Sequence, residues 1–145
     1  MTMNGTLTTL IQLAKYGIIG VSNTLITLVA FYLINTVAGV SENVANVVGY
    51  ILGLINSFVW NRNWVFKTNN DWRREALLFA VGFGICFALQ FALFYYLLHC
   101  TDIANLQLSW LPMKKTGENV AMCISMVVYT LANYCYNRFV TFKQK

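Results

Sequence analysis

Asparagine followed by arginine occurs twice in this chain, and those pairs are the first place where chemistry could sit. Asn61-Arg62 and Asn137-Arg138 each close a long apolar run, and each is followed five residues later by a lysine, Lys67 or Lys143. A guanidinium group is a planar fork of donors that fits phosphate oxygens. Arg62, Arg138, Lys15, Lys67 and Lys143 would together form a basic ring suited to an anionic lipid headgroup. The plainer reading of the same residues is snorkelling and control of topology. The sequence leaves both readings open.

Amides and small residues form the second set. At 100° per residue, Asn46, Gly49, Gly53, Asn56 and Trp60 share one helix face. Similar stripes are Gly20, Asn23, Thr27 and Ala30; Gly82, Cys86 and Gln90; and Met126, Thr130, Asn133 and Asn137. Amides in hydrocarbon need partners. The residues Asn23, Thr27, Asn46, Asn56, Asn61, Gln90, Thr130, Asn133 and Asn137 are therefore candidates for a polar groove, or for bonds that tie helices together. Gly49 and Gly53 form a GxxxG pair, which permits either a contact within one bundle or a homo-oligomer.

Catalysis finds little support. No Ser–His–Asp set, nucleotide-binding loop or carboxylate pair is visible, His99 stands alone, and the four cysteines form no CxxC. The expectation is no enzyme activity, no cofactor and no metal. No Asp or Glu falls in mid-span, which disfavours a proton-coupled antiporter with a central carboxylate.

Helices must hold these groups in place. The chain has 145 residues, of which 58% are hydrophobic and only 10% charged. A soluble domain averages about 25% charged, and disorder needs low hydrophobicity, so both classes are excluded. Four stretches, 16–41, 43–61, 76–98 and 119–137, carry no Asp, Glu, Lys or Arg. A helix of about 20 residues crosses a hydrocarbon core of about 30 Å. Barrel strands would alternate over about 10 residues, and that pattern is absent. The expected fold is an all-α integral membrane protein with four transmembrane helices. The first apolar run is too long for a signal-peptide core.

Lys15, Arg62, Lys67, Arg73, Arg74, Arg138, Lys143 and Lys145 fall on one side of these spans, and only Lys114 and Lys115 on the other. The positive-inside rule makes the first side cytoplasmic, with both termini there. Tyr16, Trp60, Trp64, Trp72, Tyr134 and Tyr136 cluster at the same level, with Trp110 opposite. Trp72, Arg73 and Arg74 form an interfacial anchor for anionic lipid. The net charge of +5 is then a topology signal, and nucleic acid is not an expected partner.

The chain also repeats itself. Residues 42–67 align without a gap on residues 118–143, sharing the ENVA start and the NRxxxFK end. The other spans match more weakly, Gly20 with Gly84 and Phe31-Tyr32-Leu33 with Tyr95-Tyr96-Leu97. Each repeat holds two spans, so the halves run parallel, related by an axis along the membrane normal. A single four-helix domain over residues 1–145 is expected, with repeats at about 10–67 and 73–143.

These motifs resemble the GtrA-like family of small membrane proteins. Gly20, Asn23 and Thr24 match its first-span motif, and Asn56, Asn61, Arg62, Trp64, Val65 and Phe66 match the close of its second span. The resemblance runs over about residues 10–143. It implies a translocase for a polyprenyl-phosphate-linked sugar in the bacterial plasma membrane, serving cell-surface polysaccharide or teichoic-acid glycosylation. Membrane glycosyltransferases would load the carrier inside and use the sugar outside. The alternative implied role is a membrane scaffold that recruits such an enzyme. The chain departs from relatives at Met122, where a lysine often stands, and Lys114 or Lys115 could substitute from the loop.

Overall fold

The computed structural model describes residues 3–106 and 116–143. Its elements are α1 (Met3–Phe31), α2 (Glu42–Trp60), α3 (Trp72–Cys100) and α4 (Thr116–Tyr136). Wider π-helical turns extend α1 (Tyr32–Val37), α2 (Asn61–Phe66) and α4 (Asn137–Thr141), and a 3₁₀ turn, Asp102–Asn105, follows α3. The apolar runs carry no proline. A helix satisfies every backbone group internally, which hydrocarbon demands.

Local chemistry sets the boundaries. The π turn after α1 closes on itself, with Ala38 N–H donating to Leu33 O and Val40 N–H to Ile34 O. Gly39 makes the reversal at φ +69°, a backbone region that penalises a side chain. Asn35 Nδ2 ties the turn down by donating to Val40 O at 2.9 Å. At the start of α3, the Asp71 carboxylate accepts from Arg73 N–H at 3.1 Å, an N-cap.

Among the described residues, three helical stretches are long and apolar enough to cross a membrane: Leu7–Val37, Glu42–Phe66 and Trp72–Cys100, with mean hydropathies of 1.9, 1.3 and 2.3. The fourth expected span is a helix of 21 residues. Its Asn119, Ser125, Thr130 and Asn133 make it more polar than the other three. Large apolar side chains stand outward, including Ile18, Val21, Leu25 and Leu28 on α1 and Leu77, Val81 and Ile85 on α3. The chain is thus an all-α membrane protein.

The chain divides into two compact units, meeting in sequence at Asn70 and Asp71. In the first, α1 and α2 run antiparallel. A Cβ added at Gly49 would lie 3.0 Å from Thr27 O, and one at Gly53 would lie 2.8 Å from Thr27 Oγ1. The GxxxG pair is therefore used against α1. In the second unit, α3 and α4 are also antiparallel. Glu75, Phe79, Gly82 and Cys86 form the buried stripe of α3, and the Tyr136 ring lies so close to Gly82 that an added Cβ would fall 2.3 Å from it.

Three stripes differ from expectation; on α2, Asn46 and Trp60 are exposed and the buried line passes through Ala45 and Asn61 instead. Gly20 is exposed with open space where a Cβ would sit, and the buried line of α1 passes through Ile19 instead. On α4 the buried line passes through Ser125, while Met126 is exposed. Each shift is one residue, or about 100° of helix. The polarity of the side chains did not reveal which edge of the stripe meets the neighbour.

Candidate functional site: the two Asn-Arg turns

Both Asn-Arg pairs open a π-helical turn. Such turns are rare and recur at functional sites. The sequence repeat is thus also a repeat of backbone geometry. Each asparagine is sealed, Asn61 at 1% exposure and Asn137 at 0%. Each reaches back one turn: Asn61 Nδ2 donates to Ser57 O at 2.8 Å and to Ser57 Oγ at 3.2 Å. Asn137 Nδ2 donates to Asn133 Oδ1 at 3.3 Å, and Asn133 Nδ2 donates to Tyr129 Oη at 3.5 Å.

In the first unit, the half-buried Arg62 donates through Nη2 to Asn70 O at 2.8 Å and through Nη1 to Asn63 Oδ1 at 3.4 Å. These bonds curl the chain after α2 back over the turn. Thr68 N–H donates to Arg62 O at 3.1 Å, and Lys67 between them takes a left-handed conformation at φ 51°. Lys15 reaches the same end from α1, with Nζ 5.0 Å from the centre of the Trp64 ring. Trp60 meets Trp64 edge-on at 6.1 Å. Lys15, Asn61, Arg62 and Lys67 therefore gather at one end of this unit, with Lys67 exposed.

In the second unit, Arg138 Nη1 donates to Tyr134 Oη at 2.8 Å. Its guanidinium lies 5.9 Å from the Tyr134 ring centre and 5.7 Å from that of Phe139. Phe142 packs on Phe79 of α3 at 6.1 Å, and Lys143 is exposed. One turn before Phe79, on the same face, Glu75 is fully buried. Sequence alone did not single out Glu75. Its register, four residues before Phe79 and seven before Gly82, was the signal that could have found it.

The other amides have different surroundings. Asn56 Nδ2 donates to Asn23 Oδ1 at 2.8 Å and to Ser22 Oγ at 3.3 Å. Thr27 Oγ1 donates to Gly49 O at 3.2 Å. Asn23, Thr27 and Asn56 thus meet across the α1–α2 contact. Asn46 is exposed on α2, and Gln90 is half-exposed on α3. Thr130 Oγ1 bonds within its own helix, to Met126 O at 2.8 Å. Lys114, Lys115, Lys145 and Trp110 lie outside the described residues.

Among the described residues, buried oxygens at these turns that meet no hydrogen-bond partner include Asn61 Oδ1, Thr68 Oγ1 and Thr141 Oγ1. A buried polar atom left in that state costs about 1–3 kcal/mol. Thr68 and Thr141 were not singled out by sequence, because a lone threonine beyond a span has no pattern to mark it. Farther along unit one, an open apolar groove of about 460 Å³ is lined by Leu25, Val29 and Leu33 with Leu52 of α2. Among the described residues no cluster of His, Cys, Asp or Glu could hold a metal ion.

Comparison with known proteins follows the same residues. Residues 15–142 match the family described as GtrA/DPMS, transmembrane domain. The uncharacterized membrane protein YngA of Bacillus subtilis (strain 168) is 44% identical over 54 residues. That stretch is 37% of this chain and 36% of YngA, so the match spans about a third of the relative's length. With most of both repeats and both Asn-Arg turns inside the matched region, the chain belongs to the GtrA/DPMS transmembrane domain family.

Proposed function

We propose that this protein translocates a polyprenyl-phosphate-linked monosaccharide across the bacterial plasma membrane, for glycosylation of cell-surface polysaccharide or teichoic acid. The observation that carries this reading is the repeated π turn, which sets an arginine beside a buried asparagine at the end of α2 and again at the end of α4. Both termini and both turns face the cytoplasm, where the excess of Lys and Arg lies. Both α3 and α4 cross the bilayer. Lys15, Arg62 and Lys67 of the first unit form one phosphate-capturing group, and Arg138 and Lys143 of the second unit form another. A phosphate entering hydrocarbon alone meets a large desolvation cost. Asn, Thr and Gln side chains along the helices, Gln90 and Thr130 included, replace part of its water shell while the isoprenoid tail stays in lipid and in the apolar groove of α1 and α2. The gradient of loaded carrier drives the movement. Membrane glycosyltransferases supply and consume the sugar, and the chain itself catalyses no bond change.

The test is transport in reconstituted vesicles carrying a short-chain polyprenyl-phosphate sugar. Arg62→Ala combined with Arg138→Ala is expected to lower transfer to the outer leaflet at least tenfold. Full-rate transfer by that folded variant overturns the reading.

One observation favours a second role, a scaffold for a glycosyltransferase. Asn23 and Asn56 bond each other across the α1–α2 contact, so these amides act as ties between helices. A scaffold predicts that purified protein moves no lipid and that a transferase co-purifies with it.

A further inference from the structure

Asn61 has an orientation that its neighbours fix. Its Nδ2 donates to Ser57 O and Ser57 Oγ. Exchanging the amide's two ends would set its oxygen against the Ser57 carbonyl, two acceptors at 2.8 Å. The oxygen therefore faces away from Ser57, is sealed from solvent, and receives no donor. Thr68 Oγ1 is in the same condition, and Thr68 is tied to the same turn through its N–H bond to Arg62 O.

Asn61 Oδ1 is wrong for phosphate. Ionised phosphate oxygens only accept, and so does an amide oxygen. Arg62 and Lys15 supply charge and N–H donors; Asn61 Oδ1 demands a donor in return. On a phosphate-linked sugar, the groups that can donate are the hydroxyls. A hydroxyl can also accept from Thr68 Oγ1–H. The two chemistries of a glycosyl phosphate are thus both represented at one end of the α1–α2 unit.

We propose that Asn61 Oδ1 and Thr68 Oγ1 read the sugar hydroxyls, so that this turn distinguishes a loaded carrier from bare polyprenyl phosphate. This rests on the lipid-linked sugar reading and adds to it a discrimination by load. The closed turn opens to admit the headgroup, and the unmet acceptor favours any state in which it gains a donor. A site built to bond a hydroxyl rejects the analogue lacking it, because its own polar groups are then left unpaired.

The experiment measures binding by the full chain in nanodiscs. The probes are farnesyl phosphate and its glucose, galactose, mannose and N-acetylglucosamine conjugates, with glucose 1-phosphate as the tail-free arm. The wild type is expected to bind at least one conjugate tenfold or more tighter than farnesyl phosphate. Thr68→Val, which keeps the shape and removes the hydroxyl, is expected to cut that preference at least threefold with farnesyl phosphate binding unchanged. Thr68→Ser is expected to retain it, and Asn61→Ala to abolish it. Arg62→Ala is expected to weaken conjugate and bare lipid alike. Equal binding of every conjugate and bare lipid by the wild type overturns the proposal, as does a preference that survives Thr68→Val. Glucose 1-phosphate binding as tightly as the glucose conjugate overturns the assignment to a lipid-linked sugar. Preference without transport refutes translocation alone; transport without preference refutes this inference alone.

Discussion

The α1–α2 and α3–α4 contacts come from two copies of one repeat, yet their closely approached glycines lie on opposite partners. In the first unit the glycines are on the second helix, Gly49 and Gly53, and Thr27 of α1 lies against them. In the aligned places of α4 stand Ser125 and Tyr129. There the closely approached glycine is on the first helix, Gly82, and α4 covers it with the Tyr136 ring, while Tyr129 lies 6.4 Å from Phe83. Close helix packing requires that volume at each level be shared between partners, whichever partner carries it. The repeat ends, by contrast, share Asn, Arg, Phe and Lys at matching places, and each Asn-Arg pair opens a π turn. Packing volume has been exchanged between helices, while the Asn-Arg turns keep their Asn, Arg, Phe and Lys at the same offset.

That comparison can be broken most severely at Gly49. The atom facing it is the Thr27 backbone carbonyl, which cannot rotate aside. Gly49→Leu should separate α1 from α2 and cost about 3 kcal/mol, the upper end for overpacking. Reversible unfolding in mixed micelles measures it, and a loss under half that would mean that α1 yields easily.

Gly82→Ala should cost somewhat less, about 2 kcal/mol, because a tyrosine ring is what must move. The same change in a Tyr136→Ala background should cost much less, a double-mutant coupling that isolates the contact. Undiminished cost in that background would show that another neighbour sets the fit.

Asn56→Leu tests whether polar ties distinguish the first unit. It removes the bonds to Asn23 and Ser22 and should cost about 1 kcal/mol, in line with interhelical bonds measured in membranes. A stabilised variant would show that the pair serves something other than packing. The smallest effect is expected for Lys15→Gln, which removes the cation from Trp64 and should cost about 0.5 kcal/mol, near the exposed-site value. Quenching of tryptophan fluorescence would report whether Trp64 is then released.

Much of this was legible before any coordinates. Charge-free length determined that helices form at these four places, because hydrocarbon leaves the backbone no other way to satisfy its N–H and C=O groups. The matched NRxxxFK ends marked two similar span ends, and the Asn-Arg pairs located them. Tertiary structure decided which side of each helix is used. It selected Ile19 over Gly20 and Ser125 over Met126, set the GxxxG pair on α1, buried Glu75, and left the oxygens of Asn61 and Thr68 without donors. The physical reason is that composition and period specify how much of a helix must be covered, whereas the covering atoms belong to another helix, and only their contact fixes the register.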